Sequence, residues 1–170
     1  MTLLVSQTFR DSYEKAEKYN SLLDHHFNDR YEVVNCETKA AQILGVDRLF
    51  IAHKSGRCFS VEYKVDFIAR RTGNAFIETL QRFESGRLVR GWAYTTGAQI
   101  VCYFVAPETI YVMDALKMKT ELPHYAKFFP LSDWVVNRKP DGSNYAAQGI
   151  LVPLEIFEKA CLTKEELNGN

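Results

Sequence analysis

Two β-type runs of matched length, Val46 to His53 and Cys58 to Asp66, flank Lys54-Ser55-Gly56-Arg57, and no other feature of the chain constrains its fold as strongly. A Ser-Gly turn between such runs predicts an antiparallel hairpin. Closing it on a two-residue turn pairs Lys54 with Arg57, which carries Asp47 opposite Lys64 and Leu49 opposite Glu62. Side chains alternate along a strand and opposed residues share a face, so Asp47, Glu62 and Lys64 are predicted to project from one side of the hairpin. Phe50, Phe59, Val61 and Tyr63 fall on the other side and supply a core.

The rest of the chain builds outward from that hairpin. A third β-type run, Ala75 to Phe83, follows Arg71-Thr72-Gly73-Asn74 and predicts a three-stranded meander. Ahead of it, Phe9, Tyr13, Ala16, Tyr19, Leu22, Leu23 and Phe27 recur at helical steps and predict an amphipathic helix over 8–28. Tyr31 to Asn35 reads as a short strand, and Glu37 to Leu44 stays unassigned. Gly91 to Gln99 reads as a short helix, Ile100 to Val105 as a buried strand and Ile110 to Met113 as one more. Beyond these come a helix over 114–120, a turn at Pro123, a polar loop through 138–144, a strand over 149–152 and a helix over 154–160 that Pro153 favours. The order helix, three strands, helix, strand predicts an α/β fold, with a mixed central β-sheet flanked by helices. With 170 residues, 46% of them hydrophobic, the chain can bury one core and not two, so residues 1–170 are read as a single domain.

Composition removes several function classes. No apolar run is long enough to cross a bilayer, and Met1 to Gln7 lacks the basic region and apolar stretch of a signal peptide, so an intracellular, cytoplasmic protein without membrane contact is expected. Cys36, Cys58, Cys102 and Cys161 form no CxxC pair, and the four histidines no metal spacing, which argues against a zinc site. Formal net charge is zero, yet residues 47 to 90 carry nine Lys/Arg against five Asp/Glu. That local excess surrounds Asp47, Glu62 and Lys64.

Two carboxylates and a lysine within a cross-strand spacing or two suit hydrolysis of a phosphodiester by metal-bound water. Asp47 and Glu62 offer hard oxygen ligands for Mg²⁺, with Mn²⁺ as a substitute, and the backbone carbonyl of Tyr63 is a further donor. Lys64 is placed to orient or deprotonate the attacking water, or to offset charge on the phosphorus in the transition state. The same spacing also suits a cross-strand ion pair on a solvated face.

Gly45-Val46-Asp47-Arg48 followed by Val61-Glu62-Tyr63-Lys64 resembles the PD-(D/E)XK nuclease superfamily, the restriction-endonuclease-like proteins. The likeness extends through Thr72-Gly73-Asn74 with Phe76-Ile77-Glu78, Gly91-Trp92, Ile100 to Phe104 and Gly149 to Pro153, a group of small proteins carried by phages and mobile elements. Val46 stands where the superfamily name has proline. The resemblance implies a core of helix, three strands, helix and strand, and nuclease chemistry, without supplying a substrate; the function expected from the site is a Mg²⁺-dependent endonuclease acting on DNA in recombination, repair or restriction. A catalytically silent nucleic-acid-binding or assembly protein on the same fold is the alternative. It also implies a glutamate on the first helix at the metal, Glu14 or else Glu17. Glu78, on the third strand, is a candidate for the same site, as a metal ligand or water-positioning base, or pairs with Lys64 or Arg82 instead. Arg48, Lys54, Arg57, Arg70, Arg71 and Asn74 are the candidates for contact with DNA, expected around the strand ends nearest the metal. Trp92 and Tyr94 are placed either to stack on bases or to pack the short helix on the sheet. Paired cuts on a duplex would call for a homodimer.

Overall fold

The computed structural model describes residues 17–138 and 142–167. Residues 17–27 form the first helix, α1, whose Leu23 and Phe27, four apart, are buried against a sheet. That sheet has six strands in the order β1-β2-β3-β6-β7-β10: β1 (Tyr31–Asn35), β2 (Arg48–Ala52), β3 (Cys58–Asp66), β6 (Ile100–Val105), β7 (Thr109–Asp114) and β10 (Thr163–Glu166). Strand β3 runs parallel to β6 and the other pairs are antiparallel, so the sheet is mixed. A second sheet of four antiparallel strands has the order β5-β4-β9-β8: β5 (Leu88–Arg90), β4 (Asn74–Phe83), β9 (Asn144–Pro153) and β8 (Val135–Arg138). Five short or medium helices complete the α/β fold: α2 (Lys39–Ile43), α3 (Ala69–Thr72), α4 (Trp92–Thr95), α5 (Ala115–Phe128) and α6 (Leu154–Ala160).

Alternation along the strands divides the interior in two. One cluster, with Phe50, Val61, Tyr63, Cys102 and Phe104, takes the α1 side of the large sheet, and Phe59 packs against it. The other joins Val101, Tyr103 and Met113 of the opposite face to Ile77, Ile150 and Val152 of the second sheet and to α5 and α6. Glu62 and Lys64, which alternate with Val61, Tyr63 and Val65, lie on that opposite face, so they look toward the space between the sheets.

Three expectations are corrected. The hairpin turn has four residues: the Ala52 N–H donates to the Arg57 carbonyl at 2.8 Å, and Gly56 takes the left-handed conformation at φ 66°. A two-residue turn of type I′ needs positive φ at Ser55 as well, which no residue other than glycine adopts among the described residues. Phe50 therefore faces Phe59, a shift of two residues; the ladder ends at Arg48 opposite Val61, and the Asp47 N–H also goes to the Val61 carbonyl, so Asp47 stands beside that last pair and not opposite Lys64. Because the shift is even, the residues within the ladder keep their predicted faces.

The three-stranded meander exists, but it is β1-β2-β3, one strand earlier than predicted. The other edge of β3 is taken by β6, and β4 crosses to the second sheet. Asp66 turns the chain away: its Oδ1 accepts from the Ile68 and Ala69 N–H groups at 2.7 and 2.8 Å and starts α3. Finally, α5 continues through Pro123, where a turn was expected, because Leu122 and Tyr125 on either side are buried in the shared core.

Candidate metal centre

The site begins where β2 starts. The Asp47 N–H donates to the Val61 carbonyl at 2.9 Å, and its Oδ2 accepts from the Tyr63 N–H at 2.8 Å, beyond the last ladder pair of β2 and β3. Alternate carbonyls of β3, those of Ser60 and Asp66, turn to the β6 side. The N–H and carbonyl of one strand residue face the same edge, so the Tyr63 carbonyl faces the β2 side, where Asp47 stands.

Glu62 is only 3% exposed. Its Oε1 lies 2.6 Å from the Lys64 Nζ, whereas Oε2 has no hydrogen-bond partner among the described residues. Burial pushes this carboxyl above the usual range; Lys64 and then the Thr96 hydroxyl oppose the shift, and the charge of Asp47 adds to it. The carboxylate fits against Gly45, whose backbone is left-handed at φ 64° and where a Cβ would sit 3.0 Å from Oε1 and 3.2 Å from Oε2. Gly45 serves both as a turn into β2 and as the wall of the carboxylate's recess. Lys64 is held from its other side by Trp92, with Nζ 5.4 Å from the ring centroid.

An orphaned, buried, charged oxygen costs about 1–3 kcal/mol, more than most native structures leave unpaid. Among the described residues no three His, Cys, Asp or Glu side chains converge as a metal cluster. The donors at hand are the two carboxylates and the Tyr63 carbonyl, all hard oxygens. They fit Mg²⁺, which binds through one or two carboxylates and keeps several waters. No family model, curated protein or solved structure matches the chain.

The remaining sequence candidates divide by position. Glu78 is buried but lies on β4 in the other sheet, with Oε1 accepting from Gln81 Nε2 at 2.7 Å and from the Trp92 N–H at 3.3 Å. It is thus neither on a strand beside Glu62 nor paired with Lys64 or Arg82. Glu14 lies outside the described residues, and Glu17 is exposed on α1. Lys54 and Arg57 sit in the β2-β3 turn, five or more residues along the strands from Asp47 and Glu62, which is about 17 Å at about 3.4 Å per residue. They flank the far end of the hairpin, contrary to expectation.

Arg48 is also withdrawn from any ligand. Its Nε donates to Asp24 of α1 at 2.8 Å, Nη1 to Asn35 at 2.6 Å, and the same Asp24 accepts from the Tyr63 hydroxyl at 2.9 Å, so this arginine ties α1 to the sheet. Arg70 and Arg71, on α3, and Asn74, which opens β4, follow the end of β3 that carries Lys64. Arg70 makes an exposed contact of 3.4 Å with Glu108. Sequence reasoning missed Gly45 and Thr96 as walls of the recess. Gly45 was visible next to the Asp47 motif, but Thr96 follows the end of α4, thirty-four residues after Glu62, with no local signal.

Proposed function

We propose that this chain is a metal-dependent nuclease of the PD-(D/E)XK type, hydrolysing phosphodiester bonds in DNA, with Asp47, Glu62 and Lys64 as the working residues. The observation that carries the reading is Glu62: buried, one oxygen on Lys64 and the other without a partner among the described residues, beside a second carboxylate. The large sheet supports it further: with α2 set aside between β1 and β2, and α3, β4 and β5 set aside between β3 and α4, the order α1, β1, β2, β3, α4, β6, with β6 parallel to β3, follows the helix, three strands, helix, strand core of that superfamily.

In this reading Asp47, Glu62 and the Tyr63 carbonyl hold Mg²⁺ or Mn²⁺, which when bound neutralises phosphate charge and acidifies a water. Asp47 is fixed by the Tyr63 N–H and Glu62 by burial against Gly45, so neither reorganises when substrate arrives. Lys64 stands at the Glu62 carboxylate, placed to orient the attacking water or to offset charge building on the phosphate oxygens as the new P–O bond forms and the old one breaks. Double-strand cuts would require two copies, and a homodimer belongs to the reading for that reason.

The test is cleavage of supercoiled, linear, single-stranded and branched DNA with Mg²⁺ or Mn²⁺ and with EDTA, beside Asp47→Ala and Lys64→Ala. Metal-dependent cleavage lost in both variants is expected. Absence of cleavage on every substrate, despite metal binding that depends on Asp47, would replace the enzyme by a binding protein on the same fold.

A further inference from the structure

We infer that the face of the second sheet carrying Arg82 and Arg90 binds a single-stranded polynucleotide and leads it toward Lys64; the inference deepens the nuclease reading and rests on it. The register places these residues together. Leu80 pairs with Arg90 and Arg82 with Leu88, so both arginines share one face of the β4-β5 ribbon, about 7 Å apart along the strand direction. Across β9 the same face continues through Ala146, opposite Arg82, and Gln148, opposite Leu80, to Ile150 and Val152, which enter the core shared with Tyr103. The arginine-bearing face and the Glu62 face therefore both look toward the space between the sheets.

Each arginine on this face is laid on a ring instead of a carboxylate. The Arg82 guanidinium carbon is 4.5 Å from the Trp134 ring centroid, and that of Arg90 is 5.6 Å from Tyr94. Both arginines are exposed, and among the described residues neither makes an ion pair, whereas Arg30, Arg48 and Arg70 all do. Tyr94 follows Trp92 by two residues in α4, and Trp92 lies over Lys64, so α4 carries both the ring beside Arg90 and the ring beside the proposed centre.

Charge without a counter-ion and flat apolar rings are the two halves of a single-strand platform. Phosphates take the cations, bases stack on the rings, and the recognition tolerates any sequence. A duplex hides its base faces and cannot use the rings, so the platform selects unpaired substrate. Nothing here reads a 2′-hydroxyl, so DNA and RNA share the chemistry and are separated by the experiment.

Binding of fluorescently labelled single-stranded DNA, single-stranded RNA and duplex DNA is measured by anisotropy in EDTA, which prevents cleavage, across a salt series. The proteins are the wild type, Arg82→Gln/Arg90→Gln, Trp134→Ala, and Lys54→Ala/Arg57→Ala as a control at the far end of the hairpin. Expected are a single strand preferred over duplex, a loss of about 5- to 100-fold in Trp134→Ala, and a salt slope shallower by about 1.4 in the double arginine variant, two contacts at about 0.7 each. The control should bind as the wild type does. Substituting exposed arginines leaves the fold intact, which the melting temperature verifies, and Arg82→Lys/Arg90→Lys should recover the slope. No binding by the wild type, a preference for duplex, or unchanged binding in both platform variants would overturn the inference. Metal-dependent cleavage in those same variants at the wild-type rate would overturn it while leaving the nuclease reading standing; single-strand binding without cleavage by any protein would do the reverse.

Discussion

Replacing Glu62 with Gln separates the stability of this protein from its proposed chemistry. The amide keeps the shape of the recess and an oxygen for Lys64, but removes the charge whose Oε2 is without a partner among the described residues. Removing the buried charge returns about 2 kcal/mol, although the amide NH2 that takes the Oε2 place still lacks an acceptor there. Against this, the bond from Lys64 at 2.6 Å loses its ionic acceptor, at a cost of about 1 kcal/mol, since charge-assisted hydrogen bonds are roughly twice as strong as neutral ones. The net expectation in EDTA is a variant more stable by about 1 kcal/mol, or about 2–4 °C in melting temperature for a chain of this size.

Metal should invert that order. At one hundred times its dissociation constant, a cation that binds only the folded wild type adds about 2.7 kcal/mol, or about 5–11 °C, and the variant should gain none of it. The pH dependence in EDTA follows from the direction of the Glu62 shift. Burial raises its folded value despite Lys64, so the folded protein holds this proton more tightly than the unfolded chain does. Its contribution favours folding at low pH and declines as pH rises from the ordinary carboxylate range through the raised value, and the gap between variant and wild type opens over that interval. Calorimetry at several pH values, with EDTA and with Mg²⁺, reads all of this. A variant destabilised by more than about 1 kcal/mol in EDTA, or one that keeps the Mg²⁺ shift, would refute the reasoning.

Two further outcomes are expected. Gly45→Ala must hold a left-handed backbone and place a Cβ 3.0 Å from the Glu62 carboxylate, so a loss of about 1–2 kcal/mol together with weakened Mg²⁺ binding should appear in melting curves with and without metal. At the opposite face, burial pushes the Glu165 carboxyl up but hydrogen bonds from Arg30 and His26 outweigh it and hold it below the ordinary value, so its stabilisation is complete above that value and is lost as pH falls through the depressed one. Glu165→Gln should therefore melt lower at neutral pH and lose less on acidification than the wild type, which urea titrations at pH 7 and pH 3 compare.

The sequence by itself determined the hairpin strands, their faces and most element types. Alternation around Ser55-Gly56 placed Glu62 and Lys64 opposite Phe59, Val61 and Tyr63, and this held although the turn length was misjudged, because a slip of two residues preserves sidedness. Strands β1 and β6 and helix α6 were legible for the same reason: short runs with one clear period carry their structure locally. Partners were not legible. Nothing in Ala75 to Phe83 says which strand it will pair with, and it joined β9, about seventy residues on, once Asp66 had turned the chain and β6 had taken the edge of β3. Tertiary structure alone moved Glu78 away from Glu62, bound Arg48 to Asp24, brought Thr96 and Trp92 to the site and set Arg82 on Trp134. Local sequence fixes which way a side chain points; what it meets there depends on backbone edges that remain interchangeable until the whole sheet closes.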